Sequence, residues 1–179
     1  MLRKIIAKLR NECNLNQLVK NGMKLGTGCS IARNAEIDNS HCWLIEIGNN
    51  VTITSKCILL AHDATTKRDL GYSKIGKIVI GDNVFIGVNS VVLPNTRIGE
   101  NTIVGAGSVV KGKLEPNSVY VGCPARRVCS KEEFLENHKS QIESGECVFD
   151  ESFTVRANIS NEKKESMKQT LGDRIGYVE

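Results

Sequence analysis

His62 is the residue of this chain with the clearest potential for chemistry. It lies at the start of a polar and charged stretch, residues 60–79, which follows a run of aliphatic residues. A free imidazole has a pKa of about 6.5 and exchanges protons near neutral pH. Such a group can act as a general base when a hydroxyl attacks an activated carbonyl. His62 is therefore a candidate for the catalytic base, and a loop histidine without a catalytic role is the alternative. Asp63 either orients its ring, binds a substrate hydroxyl or is an exposed turn carboxylate.

The remaining histidines and the cysteines are weaker candidates. His41 could approach a site, but a surface role is favoured, and His138 falls on the solvated face of a predicted helix. The cysteines include no C-x-x-C pair, which favours small buried side chains, reduced thiols and a cytoplasmic protein. A role for Cys123 in a site stays open. The seven cysteines are residues 13, 29, 42, 57, 123, 129 and 147.

The segment that must position His62 follows a six-residue repeat. Aliphatic residues recur at every sixth position, and the side chain four positions after each of them is mostly small or short. This period fits neither a helix nor an ordinary strand and is typical of a solenoid. The aliphatic series consists of Ile80, Ile86, Val92, Ile98, Val104 and Val110.

Three such units would close one triangular coil of about 18 residues, in which the aliphatic residues point inward. Each inward residue should then stack on its equivalent one coil along the chain. The predicted pairs are Ile80 on Ile98, Ile86 on Val104 and Val92 on Val110.

Two insertions interrupt the repeat. The first lies between Ile37 and Ile47, around His41, and the second is the stretch over residues 60–79 that contains His62. Insertions in repeat proteins form loops, often on the binding face. The insertions are therefore the predicted place of the functional site.

The repeat also suggests the domain organisation. We predict an N-terminal helical cap over residues 1–24, with its helix near residues 2–9, and a solenoid domain over residues 25–129. Residues 130–179 should form a C-terminal helix and tail. The helix should begin after Ser130 and run to about Ile142. In the tail, the sequence predicts short strands at residues 147–149 and 153–155 and a helix at residues 162–171.

The charge pattern excludes some partners. Net charge is +4 and aromatic residues make up 4% of the chain. Because Lys and Arg are scattered, the sequence does not predict nucleic-acid binding. It also shows no apolar run that predicts stable membrane insertion. Attraction of an anionic small molecule is the favoured use of the positive charge.

The order of the motifs resembles the hexapeptide-repeat acyltransferases, and more narrowly the maltose, galactoside and capsule O-acetyltransferases. The motifs occupy residues 80–87, 91–94, 98–101, 104–111 and 122–126. The resemblance implies an all-β solenoid, a left-handed parallel β-helix with short helical segments at both ends. It also implies a homotrimer with sites between subunits and acetyl-CoA as co-substrate.

The resemblance further implies O-acetylation of a sugar or polysaccharide-precursor hydroxyl, with His62 as the base and no covalent enzyme intermediate. The alternatives are N-acylation of an amino sugar, amino acid or antibiotic, and a non-catalytic trimeric scaffold. A metalloenzyme on the same fold would need three imidazoles, and only His62 is well placed, so we expect no metal.

The family's binding residues map onto this sequence by position. Asn83 is a candidate for the acceptor, with a corner amide as the alternative. Among the candidates for coenzyme A binding, Ser108 could instead fill the core, and Lys111 and Arg126 could be ordinary solvated cations. Three positions depart from the family pattern: Phe85 replaces a common Trp, while Gly112 and Cys129 replace polar or basic residues. The coenzyme A candidates are Phe85, Val88, Ala106, Ser108, Lys111, Pro124, Arg126 and Arg127.

Overall fold

A computed structural model describes residues 14–179, so the predicted helix near residues 2–9 lies outside the described residues. The chain divides into two compact units, one ending at Glu132 and the other formed by Glu133–Glu179. The first unit carries the six-residue repeat and the second carries the tail.

The first unit is a parallel β-helix whose strands form three faces. Face 1 contains β1 (Lys24–Leu25), β4 (Ile45–Ile47), β9 (Ile78–Ile80) and the C-terminal parts of β11 (Val91–Ile98) and β13 (Val109–Leu114). Face 2 contains β2 (Ser30–Ile31), β5 (Thr52–Ile53), β10 (Phe85–Ile86), β12 (Ile103–Val104), β14 (Ser118–Val121) and β15 (Arg126–Ser130). Face 3 contains β3 (Glu36–Ile37), β6 (Ile58–Leu59) and the N-terminal parts of β11 and β13.

The register between coils confirms the predicted stacking and the predicted left-handed β-helix. The three predicted pairs lie opposite one another in adjacent coils, and their aliphatic side chains are almost fully buried. The register shifts between Val92 and Thr96, so that Ile98 is opposite Leu114 in the last coil. Stability in such a fold accumulates between neighbouring coils. The paired residues are Ile80 with Ile98, Ile86 with Val104 and Val92 with Val110.

The corners between faces require special residues. A Cβ built on Gly87 would lie 2.5 Å from the Ala106 backbone nitrogen, so the coils approach too closely there for a side chain. Between faces 1 and 2, four asparagines adopt positive φ angles, a conformation that Asn tolerates. Their side-chain amides form a ladder with N···O distances of 3.3, 3.2 and 3.0 Å. The ladder consists of Asn50, Asn83, Asn101 and Asn117.

Helical segments and the two insertions flank the coils. Helix α1 (Leu15–Lys20) is capped by Asn14, whose Oδ1 accepts a hydrogen bond from Gln17 N at 3.2 Å. The first insertion includes a 3-10 helix, Cys42–Leu44. The second insertion forms β7 (His62–Asp63), α2 (Lys67–Leu70) and β8 (Lys74–Ile75), and β7 pairs with β8 in antiparallel orientation.

The second unit confirms two predicted helices and corrects one predicted strand. Helix α3 (Lys131–Glu143) starts at the end of the first unit. Strand β16 (Val148–Phe149) pairs in parallel with β17 (Tyr177–Val178), and helix α4 (Asn161–Leu171) lies between these two strands in the chain. The predicted strand at residues 153–155 is wrong. Two 3-10 helices, Glu151–Phe153 and Val155–Ala157, occupy this region. Asp150 Oδ1 accepts a hydrogen bond from Ser152 N at 2.8 Å, and such local bonds favour turns over strands.

Two further observations bear on the sequence analysis. None of the helices within residues 14–179 is long and apolar enough to cross a membrane. The described cysteines are free thiols, and Cys57, which the repeat placed inward, is fully buried.

The stacked core makes a testable prediction about stability. Ile86 is fully buried between Ile53 and Val104, so Ile86→Ala should lower the free energy of unfolding by about 2–5 kcal/mol. Val128→Ala, at an exposed position on β15, is the matched control and should change it by less than about 0.5 kcal/mol. Urea denaturation of both variants measures the difference, and equal losses would contradict the stacking of the core.

Candidate active site

The two insertions leave the β-helix at the same corner, between faces 3 and 1. Strands β3 and β6 pair in parallel, with Ile37 opposite Leu59. Asp38 N extends this pairing by donating a hydrogen bond to Leu59 O at 2.9 Å. The residues that follow both strands therefore lie side by side, which brings Asp38 next to His62.

Asp38 holds the His62 ring. The Asp38 side chain has no solvent exposure, and His62 Nδ1 lies 2.5 Å from Asp38 Oδ2, which also accepts a hydrogen bond from Ala61 N at 3.0 Å. Asp38 Oδ1 accepts from Ser40 N, Ser40 Oγ and His41 N at 3.0, 2.8 and 3.1 Å. Burial by itself would raise the pKa of Asp38, but the hydrogen bonds from His62, Ser40 and His41 outweigh it and lower this pKa. The carboxylate is therefore ionised at neutral pH.

This contact determines which nitrogen of His62 is free. A carboxylate only accepts hydrogen bonds, so His62 Nδ1 carries the proton that it donates to Asp38. The neutral ring then presents an unprotonated Nε2. Because 35% of the His62 side chain is exposed, the ring remains accessible from solvent.

His41 belongs to the same cluster. The sequence analysis favoured a surface role for it, but the centroid of its ring lies 5.1 Å from that of His62 and 5.3 Å from that of Trp43. Ser40 Oγ lies 3.0 Å from His41 Nδ1 and 3.2 Å from His62 Nδ1. Since Ser40 gives its single hydroxyl proton to Asp38, its oxygen is available to accept from His41 Nδ1, whereas the Nδ1 proton of His62 is donated to Asp38.

Asp38, His41 and His62 are also the described residues that could hold a metal ion, because their ligand atoms lie within 4.8 Å of one another. The sequence analysis had expected only one well-placed imidazole. The hydrogen bonds of this cluster compete with ligation, since both oxygens of Asp38 already accept bonds. A metal bound through His62 Nδ1 would have to displace the proton donated to Asp38, and the cluster lacks the third imidazole of the metalloenzyme considered above.

A cavity of about 310 Å³ opens beside this cluster, between α1 and the edge strand β3. Asp38 and His62 form part of its wall. The rest of the polar wall consists largely of side-chain amides, which both donate and accept hydrogen bonds. These amides belong to Asn14, Gln17, Asn21 and Asn39.

Asp63 and Asn83 are engaged elsewhere. The Asp63 carboxylate lies 2.6 Å from Lys74 Nζ and accepts from Thr65 N at 2.9 Å, which lowers its pKa to about 2. The contact that orients His62 therefore comes from Asp38, which the sequence analysis missed. Its position at the first break of the repeat, directly after Ile37, is the signal that could have identified it. Asn83 both donates and accepts within the asparagine ladder.

Several of the coenzyme A candidates gather at another corner, between faces 2 and 3. Val88, Ala106 and Pro124 are exposed there on successive coils, and Gly107 N donates to Val88 O at 2.8 Å. Phe85 lies on the adjoining face 2 and is also exposed.

Ser108 and the cations take other positions. Ser108 is fully buried, and its Oγ donates to Gly105 O at 2.6 Å and accepts from Gly122 N at 3.1 Å, contacts that hold the coils together. Lys111 is exposed on β13, at the corner that carries His62 but further along the β-helix. Arg126 and Arg127 lie on β15, and Arg127 Nε donates to Ser118 Oγ at 3.1 Å.

Comparison with known proteins identifies similar chains. A family profile described as "Bacterial transferase hexapeptide (six repeats)" matches residues 77–112. "Putative acetyltransferase YvoF" of Bacillus subtilis (strain 168) is 33% identical over 68% of this chain and 68% of its own length. Protein CapG of Staphylococcus aureus is 35% identical over 76% of this chain and 85% of its own length.

Among solved structures, a hexapeptide-repeat acetyltransferase from Vibrio cholerae O1 biovar eltor, complexed with acetyl coenzyme A, is 28% identical. The similarity covers 61% of this chain and 60% of that chain, with a TM-score of 0.56. A maltose O-acetyltransferase from Clostridium difficile 630 has the same fold, with 24% identity, a TM-score of 0.55 and coverage of 71% and 83%.

The buried carboxylate generates a prediction about pH. Asp38→Asn should lower the free energy of unfolding by about 2 kcal/mol at pH 7, because an amide cannot replace the acceptors that Asp38 supplies. The folded-state pKa of Asp38 is lowered, so its contribution is present above the unfolded value of about 3.9 and is lost as pH falls through the folded value.

Urea denaturation between pH 7 and pH 3 measures this contribution. The difference between wild type and Asp38→Asn should narrow toward pH 3. Asp69→Asn, at an exposed position in α2, is the matched control and should follow the wild type throughout. A difference that stays constant across the range would contradict an ionised, hydrogen-bonded Asp38.

Proposed function

The chain belongs to the bacterial hexapeptide-repeat transferases, and we propose that it transfers an acetyl group from acetyl-CoA to a hydroxyl of a sugar or polysaccharide precursor. The observation that carries this proposal is the contact between Asp38 and His62, which leaves Nε2 of His62 free beside a polar cavity. An imidazole held in this way is suited to take a proton from a hydroxyl.

The proposed reaction needs no covalent intermediate on the protein. His62 Nε2 accepts the proton as the acceptor oxygen attacks the thioester carbonyl carbon, and the carbon–sulfur bond then breaks. The departing thiolate takes the proton from the imidazolium. The ionised Asp38 favours this cycle because its negative charge stabilises the imidazolium while its contact with Nδ1 fixes the ring.

The cavity beside His62 supports a hydroxyl-rich acceptor. Its volume of about 310 Å³ lies in the range of small-molecule sites, and its amides can match hydroxyls as donors or acceptors. A general base is needed most when the nucleophile is a neutral hydroxyl, which favours O-acetylation over N-acylation.

The arrangement of the two corners supports a site shared between copies of the chain. His62 lies at the corner between faces 3 and 1, whereas Val88, Ala106 and Pro124 lie at the corner between faces 2 and 3. In the proposed homotrimer, the corner between faces 2 and 3 of one subunit binds acetyl-CoA against His62 of its neighbour. We place the reaction in the cytoplasm, where free thiols such as those of the described cysteines persist.

The proposed role of His62 is tested by His62→Ala. Loss of the base should lower kcat by about 10²- to 10⁴-fold while the circular dichroism spectrum stays that of wild type. The assay is release of coenzyme A thiol from acetyl-CoA, measured with a panel of sugars and nucleotide sugars and with matched amino sugars.

His138→Ala is the matched control, because His138 is the histidine of the second unit and bonds Tyr177. This variant should retain full activity. The proposal fails if no acceptor stimulates thiol release, or if His62→Ala keeps wild-type kcat. Release with amino sugars alone, and N-acetyl products by mass spectrometry, would overturn O-acetylation.

The shared site makes a prediction about mixed trimers. His62→Ala removes the base and Ala106→Tyr fills the corner proposed to bind acetyl-CoA, so each variant should be inactive alone. If the two are co-expressed, random trimers should recover roughly a quarter of the wild-type sites, because a mixed trimer pairs an intact His62 with an intact Ala106 of its neighbour. If light scattering shows trimers but the co-expressed variants recover no activity, each site lies within one chain.

A further inference from the structure

Apart from the cavity beside His62, a groove of about 350 Å³ lies on face 1 of the β-helix and is lined by three cations. These are Lys77, Arg97 and Lys113, and no carboxylate is part of its wall. None of the three is among the residues that the sequence analysis connected with coenzyme A.

The register of the coils puts these cations side by side. In face 1, Val79 of β9 is opposite Arg97 of β11, and Arg97 is opposite Lys113 of β13. Paired strands lie about 4.8 Å apart, so Arg97 and Lys113 project outward as direct neighbours. Thr96 N donates to Lys77 O at 3.0 Å, which places Lys77 beside the same row.

The positive charge of the groove is poorly compensated. At the other end of face 1, Lys24 forms an ion pair with Glu46 at 3.1 Å. Lys77 and Arg97, in contrast, form no ion pair within residues 14–179, and Lys113 has only an exposed pair with Glu115 at 3.1 Å. Like charges on adjacent strands are destabilising, and a bound anion would relieve this repulsion.

The floor of the groove is open. Gly112 has a φ of 84°, and a Cβ built there would have no atom within 4 Å. Gly112 is opposite Thr96 and directly precedes Lys113, and the absence of a side chain there leaves room for a tetrahedral group to approach the cations. Arg binds such groups through two parallel N–H···O contacts, which gives the groove geometric selectivity as well as charge.

The groove also adjoins the corner of His62. His62 pairs with Ile75 across the β7–β8 hairpin, and Gly76 N donates to Ala61 O at 2.9 Å. Lys77 is the next residue of the chain. Lys77 in the wall of the groove is therefore two residues along the chain from Ile75, the residue that pairs with His62.

We propose that the cationic groove of Lys77, Arg97 and Lys113 binds a phosphate or diphosphate group of one of the two substrates. The group belongs either to the coenzyme or to a phosphorylated sugar acceptor. The choice between these sources rests on the proposed acetyl transfer, whereas binding of the anion itself does not.

The first experiment measures anion binding without catalysis. Inorganic pyrophosphate is titrated into the full-length protein by calorimetry, and its affinity should fall at least tenfold in the double variant Lys77→Gln/Arg97→Gln. Lys24→Gln removes one charge from the other end of the same face and is the control, with an expected change below about twofold. Thermal unfolding checks that the variants fold.

The second experiment identifies the source of the phosphate. If it belongs to the coenzyme, Arg97→Gln raises the KM for acetyl-CoA and abolishes the difference between acetyl-CoA and its 3′-dephospho analogue. If it belongs to the acceptor, Arg97→Gln raises the KM for a sugar phosphate or nucleotide sugar and leaves the KM for the free sugar and for acetyl-CoA unchanged.

The outcomes separate this inference from the proposed function. Absence of pyrophosphate binding, or equal weakening in Lys24→Gln, overturns the groove as a phosphate site whatever the activity. Pyrophosphate binding that depends on Arg97, in a protein without acetyl transfer, supports the groove and counts against the proposed function. Unchanged KM values for every phosphorylated and unphosphorylated substrate overturn the assignment to a substrate.

Discussion

The parallel register between consecutive coils is the constraint on which the rest of this structure depends. Each strand is paired with the strand one coil along, so an equivalent position of every coil lies in one row. The rows that point inward form the aliphatic core, and the rows that point outward juxtapose side chains that are distant in sequence. Because the pairing is parallel, loops inserted after equivalent strands leave the molecule at the same corner. The candidate active site is a consequence of this geometry.

The contact between Asp38 and His62 shows how the register produces chemistry. A carboxylate without solvent exposure would ordinarily be protonated, because desolvation disfavours its charge. The turn after β3 offsets that cost, since it directs backbone and side-chain donors of Ser40 and His41 at the carboxylate while the coil above supplies Ala61 N. The charge is therefore retained where it can orient His62. Neither insertion could build this arrangement alone.

The corners and faces of the β-helix have different chemical properties. The corner between faces 1 and 2 is filled by asparagines that bond to one another, and it offers little to a ligand. The corner between faces 2 and 3 is lined by small or uncharged residues such as Ala106, which permits close approach to the backbone. Face 1 carries a neutralised pair at Lys24 and Glu46, whereas its other end carries Arg97, which forms no ion pair within residues 14–179, opposite Lys113, which has only an exposed pair with Glu115. The stacking of the coils that forms the core therefore also determines which faces carry charge and which corners a ligand can approach.

The sequence alone determined the architecture, because the six-residue period is local and states directly which side chains point inward. Ile80, Ile86 and Val92 could be paired with their partners by counting, and His62 could be identified because it lies where the period fails. The partner of His62 could not be obtained in this way. Asp63 is its neighbour in sequence, yet the alternation along β7 directs that carboxylate to Lys74. Asp38 and His41 reach His62 only because two coils are paired through space. The cationic groove has the same origin, since Lys77, Arg97 and Lys113 look scattered along the chain and become neighbours only when the coils stack.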